Sequence, residues 1–115
     1  MDEITLHLIK EYPRFKYPGH RSKEQSANSG EEFRDEILIP FIRKNKNRNI
    51  VINLEGAAGF PPSFLEEAFG GCIHKGIDEI IDIAIIGLDE IEQERIKRYI
   101  KKAIDDKKEK LKNGI

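Results

Sequence analysis

Long apolar runs are absent from this chain, and cysteine is nearly so. The single thiol, Cys72, excludes an intramolecular disulfide and a zinc site of the multi-cysteine kind. The longest apolar stretch, Ile83 to Leu88, is too short to span a bilayer. The acidic start Met1-Asp2-Glu3 lacks the basic and apolar regions of a signal peptide. Cytoplasmic localisation without a membrane partner is the resulting expectation. Net charge is lacking as well. Twenty Lys and Arg against 21 Asp and Glu leave a formal charge of -1, so no global field draws nucleic acid to the chain. His7, His20 and His74 fall on three different segments without ligand spacing, and neither a metal nor another cofactor is expected. The glycines follow neither a P-loop nor a dinucleotide fingerprint, and no Ser/His/Asp or Cys/His arrangement can be traced.

What is present describes a small soluble domain. The 115 residues, 38% apolar and 36% charged, suit one domain over 1–115. Its core is expected over about 3–104, with 105–115 a charged, fraying tail. Ile4, Leu6 and Leu8 alternate with Thr5, His7 and Ile9, the period of a half-buried strand. Pro13, Pro18, Gly19 and Asn28 then mark turns, with a short second strand expected near Arg14–Tyr17. Ser29 and Glu32 form a capping box that opens a helix with Phe33, Ile37 and Phe41 on its apolar stripe, and Pro40 should kink or split it. Ile50 to Leu54 reads as a central strand. Phe64, Leu65, Ala68, Phe69, Cys72 and Ile73 give a second helix its core stripe, weakened and ended by Gly70, Gly71 and Gly76. Ile80 to Ile86 reads as another central strand. Asp89 with Glu92 caps a third helix whose buried face is Ile91, Ile96, Tyr99, Ile100, Ala103 and Ile104. A strand (49–54), helix (61–75) and strand (80–86) of these lengths make a right-handed crossover with parallel strands. The fold class is α/β, a small mixed sheet covered by helices.

Residue chemistry on these elements is sparse. Ser63 with Glu66 has the spacing of a capping box at the second helix. Glu66 and Glu67 point about 100° apart on a helix and are no catalytic pair. Cys72, on an apolar stripe, reads as a buried structural thiol. Asp82 sits inside an apolar run, either on an exposed sheet face or bonded to a loop. Between Lys10 and Lys23, Arg14, His20 and Arg21 offer a basic rim that could hold an anion, or else a solvated loop.

The strings Ser29-Gly30-Glu31-Glu32-Phe33-Arg34, Ile52-Asn53-Leu54-Glu55-Gly56 and Gly59-Phe60-Pro61-Pro62-Ser63-Phe64-Leu65-Glu66-Glu67-Ala68-Phe69-Gly70-Gly71 together resemble the STAS-like domains of uncharacterised function. These are related to the sulphate-transporter and anti-sigma-factor-antagonist domain. The resemblance implies a small sheet backed by helices, no cofactor, and a non-enzymatic regulatory role in binding a partner protein. In antagonist domains a serine at the matching helix start is phosphorylated by a GHKL-type ATPase kinase, which switches partner binding. Here Pro62 stands at that position, Asn53 at the usual aspartate, and Ser63 is left as the candidate phosphoacceptor. The partner-binding surface implied is Glu55, Gly59, Phe60, Pro61, Pro62, Ser63, Glu66 and Glu67, with Phe60 as an exposed anchor. The alternative reading is a small phosphate- or nucleotide-binding protein or enzyme. It would use the Gly-rich turn and the basic 10–23 loop, with the anion between Ser63 and Arg21.

Overall fold

A computed structural model describes residues 2–113. Three strands, β1 (Glu3–His7), β2 (Asn49–Asn53) and β3 (Ala84–Ile86), form one sheet in the order β1-β2-β3. Both pairings are parallel, with Leu6 beside Ile52 and Ile52 beside Ile85. The sheet is therefore parallel throughout the described residues, where a mixed one was expected. Helix α1 (residues 30–44) connects β1 to β2, and helix α2 (residues 62–74) connects β2 to β3. Helix α3 (Glu90–Asn113) follows β3.

Two successive crossovers of one hand, between strands taken in sequence order, place both helices on the same sheet face. Burial agrees. Leu6, Ile50 and Ile52 on that face are buried, whereas Thr5, Val51 and Asn53 are half-buried and His7, Ala84 and Ile86 exposed. The expected helical cover is thus present, on one face of the sheet. α1 packs on α2, and α3 packs on α2. None of the described helices is long and apolar enough to cross a membrane.

Five phenylalanines knit the layers together. Phe33 from α1 stacks on Phe64 from α2 at 5.8 Å between ring centroids, and Phe69 meets Phe33 edge-on. Phe15 contacts both Phe33 and Phe64 edge-on, and Phe60 lies against Phe64. Offset and edge-to-face pairs of this kind contribute about 0.5–1.5 kcal/mol each beyond their buried area.

Several local expectations are corrected. β1 ends at His7, and Leu8–Glu11 is a helical turn. Residues Pro13–Lys16 form a 3-10 turn that buries Phe15, not a strand. The apolar run from Ile80 also begins as a 3-10 turn, Asp78–Asp82, leaving a three-residue strand and an exposed Asp82. A near-continuous β-branched run, interrupted only at Asp82 and Ala84, does not separate these two forms by its pattern. Ser29 caps α1 as expected, its hydroxyl accepting the Glu32 amide at 3.1 Å, and Asp89 caps α3 through the Glu92 amide at 2.8 Å. Pro40 neither splits nor ends α1. A π turn over Arg34–Leu38 precedes it, and the wider turn accommodates a residue that cannot donate an amide bond. A second π turn, Glu66–Gly70, lies in α2, which runs through Gly70 and Gly71 and stops before Gly76, at φ +80°. The charged stretch from Asp105 continues α3 to Asn113, and the remainder of the expected tail, 114–115, lies outside the described residues.

Candidate functional site

The carboxyl end of β2 turns sharply. Asn53 Oδ1 accepts the Glu55 amide at 2.9 Å, so a side chain makes the first bond of the turn. Gly87, after β3, closes over it at φ +84°, and a Cβ there would stand 2.5 Å from Asn53 Oδ1. The Ala58 amide then donates to the Lys16 carbonyl at 2.8 Å, tying the turn to the 3-10 segment around Phe15. Glu55 and Gly59 are exposed, Pro61 half-buried and Pro62 exposed.

Phe60 does not point outward. It is 6% exposed, with its ring 5.1 Å from that of Phe64, and so belongs to the core. Ser63 is not the N-cap. Pro61 occupies the N-cap of α2 without a side-chain bond, and Pro62 takes the first helical position, where its missing amide costs nothing. Ser63 falls one residue inside and is half-buried. Its expected capping partner, Glu66, turns instead to Arg21.

The basic loop supplies partners for carboxylates. Arg21 pairs with Glu66 and reaches Glu67 at 3.4 Å, and Arg14 pairs with Glu32. The hydrogen bond that Arg21 donates to Glu66 leads the causes that raise its pKa, with some desolvation opposing it. His20 is exposed, and its amide bonds Ser26 Oγ at 2.7 Å. The loop backbone is pinned as well, with the Gly30 amide on the His20 carbonyl and the Glu31 amide on that of Arg21. Arg21, expected on one side of an anion site facing Ser63, is thus engaged by two carboxylates of α2.

Behind this line lies Arg34, 4% exposed and not singled out in the sequence. Its Nε donates to Asp35 Oδ1 at 2.8 Å, and its Nη1 donates to the Glu67 carbonyl at 3.2 Å and pairs with the Glu67 carboxylate. Burial lowers its pKa, but the bonds to Asp35 and Glu67 outweigh that and leave it raised. For Asp35, burial raises the pKa and the Arg34 bond and charge more than reverse it, leaving it lowered. Gly71 makes room for this side chain, since a Cβ there would stand 2.5 Å from Arg34 Nη1. Arg34 thus joins the two π turns. Cys72 is buried, its thiol donating to the Ala68 carbonyl at 3.3 Å, and burial pushes its pKa up to about 12. Among the described residues no group of three or more His, Cys, Asp and Glu is placed to hold a metal ion.

A shallow depression of about 620 Å³ opens at the same rim, between the turn (Ala57, Gly59, Phe60, Pro61) and the start of α3 (Asp89, Ile91, Glu92, Arg95). Ile91, expected on the buried face of α3, is 65% exposed here. Its spacing held the signal. Tyr99 and Ile100 lie three and four residues after Ile96, and Ala103 four and three after them, whereas Ile91 precedes Ile96 by five and falls on another face.

A family model described as a STAS-like domain of unknown function matches residues 29–91, more than half of the chain. No curated protein and no solved structure matches it. The matched span runs from the α1 cap to Ile91, and so includes β2 and its turn but stops short of Glu92 and Arg95 on the α3 wall.

Proposed function

Because the chain belongs to the family of STAS-like domains of unknown function, we propose that it is a non-enzymatic regulatory module that binds a partner protein at the carboxyl end of β2. One observation carries this reading. Arg21, Arg34, Glu66 and Glu67 are paired within the chain, while Ile91, Pro61 and the backbone of Gly59 line an open depression beside Asp89, Glu92 and Arg95. Such a surface suits an apolar side chain of another protein with polar groups at its border, and an anion at the basic loop would have to displace carboxylates from Arg21 and Arg14. The contact surface is Glu55, Gly59, Pro61 and Pro62 with the addition of Ile91 and Arg95. Phe60 acts from beneath by holding the turn in place.

The resemblance makes a GHKL-type ATPase the first partner to test. Ser63 is the hydroxyl nearest the position modified in antagonist domains, and a phosphate there would lie at the amino end of α2, where the helix dipole favours negative charge. The experiment is affinity capture from cell lysate with the wild-type chain and with Ile91→Glu, followed by calorimetric titration of each protein recovered. A partner lost with Ile91→Glu, at unchanged melting temperature, supports the reading. Partners indifferent to Ile91, or ATP turnover that tracks the purified chain, refute it.

A further inference from the structure

The outer edge of β1 borders a groove of about 480 Å³ between the strand and α1. Its floor is apolar, with Ile4, Leu6, Ile37 and Phe41. Along its wall run Glu36, Pro40 and Lys44, all exposed and four residues apart on α1. Glu11 stands at the end of the groove where β1 finishes, and Arg48 at the end where it begins, because Asn49 is in register with Glu3.

The Asn49 amide donates to the Asp2 carbonyl, so main-chain groups of even-numbered residues face β2 and those of Glu3, Thr5 and His7 face outward. The His7 amide confirms this direction by bonding Glu11 at 2.7 Å, outside the sheet. Glu3 and Thr5 therefore offer an open strand edge above an apolar groove, the arrangement in which an added strand gains both ladder bonds and side-chain pockets.

We propose that this edge is filled by a second copy of the chain, the two β1 strands pairing antiparallel about a two-fold axis at Thr5 to make one six-stranded sheet. The choice of occupant rests on self-complementarity. With Thr5 opposite the partner's Thr5, Glu3 falls opposite the partner's His7, and Ile4 opposite the partner's Leu6. Each is a favourable cross-strand pair. The groove wall obeys the same symmetry. The axis passes near Pro40, so Glu36 of one copy meets Lys44 of the other, and Glu11 meets Arg48. Among the described residues Lys44 and Arg48 have no carboxylate partner within one chain. Glu36 has only a half-exposed contact with Lys23 at 3.6 Å to exchange. A surface that places opposite charges on either side of a two-fold axis is what an isologous interface requires.

Sedimentation equilibrium of the full chain tests this, with a mass of about twice 13.3 kDa expected. Thr5→Pro removes an outward amide at an edge position that tolerates proline, and it should give a monomer with an unchanged circular dichroism spectrum. Glu36→Lys and Lys44→Glu should each weaken the dimer about tenfold, and an equimolar mixture of the two should associate again. The mixture keeps the test sound even if Thr5→Pro fails to fold. A wild-type chain that stays monomeric at every concentration overturns the proposal. So does a dimer unaffected by Thr5→Pro, as pairing through the open sheet face would give, or a mixture that fails to recover.

Discussion

Replacing Phe60 by alanine separates a surface role from a core role in one measurement. The ring is 6% exposed and tilted against Phe64, itself in contact with Phe15 and Phe33. A buried aromatic of this kind removes about 150–250 Å² from water. At about 25 cal/mol per Å², most of which alanine forfeits, the transfer part alone is about 3 kcal/mol. The lost ring pair adds about 0.5–1.5 kcal/mol. Relaxation opposes this, because Phe60 is carried on a turn beside the open Gly59 and the turn can sink into part of the space. The expected cost is about 3 kcal/mol, which for a domain of this size lowers the melting temperature by roughly 12 °C. Phe60→Leu, which keeps most of the volume, should cost about 1–1.5 kcal/mol. Urea titration monitored by circular dichroism provides the free energies, and differential scanning calorimetry the midpoints. A loss below about 1 kcal/mol for Phe60→Ala, with weakened partner binding, would mean that the ring is available at the surface and that the core assignment is wrong.

Three further outcomes follow from the same geometry. Ser29→Ala should cost about 1 kcal/mol by urea titration, whereas Ser63→Ala should cost under about 0.5 kcal/mol, because only Ser29 caps a helix. Arg34→Met should cost about 2–3 kcal/mol, less than a fully buried pair, since Asp35 and Glu67 keep some contact with water. Asp35 has a lowered folded pKa, so its contribution is present above its unfolded value of about 3.9 and is lost as the pH falls further; acid titration of the wild type should show this loss and Arg34→Met should not. Finally, Cys72, with its pKa pushed up to about 12, should resist a thiol reagent at pH 8 until denaturant is added, and rapid labelling of the native chain would contradict its burial.

The order of elements was legible because each start signal is local. Ser29 with Glu32 and Asp89 with Glu92 need only three residues to form, and both caps exist as spaced. The same rule failed at Ser63 because Pro61 takes the cap position two residues earlier and leaves the serine nothing to cap. The Ile80 run failed for another reason, because isoleucines on both alternations leave a strand and a tight turn undistinguished. What organises the site was out of reach in principle. Arg34 meets Glu67, and Arg21 meets Glu66, across separations that only the packing of α1 on α2 closes. The aromatic at Phe60 was visible, but the direction of its ring depends on a turn held by Asn53, Gly87 and Lys16 from three separate segments.

Strand order along the sheet follows chain order, and this has a consequence for assembly. β1 pairs only with β2, and β2 completes its second edge with β3, so no strand has to be threaded between two already joined. The sheet can grow by accretion, each crossover closing against a finished neighbour, with loop closure confined to one helix at a time. α3 comes last and lands on α2. During synthesis the amino-terminal half could therefore dock its aromatic cluster as soon as α2 emerges, with α3 arriving as a clamp on a nearly finished body.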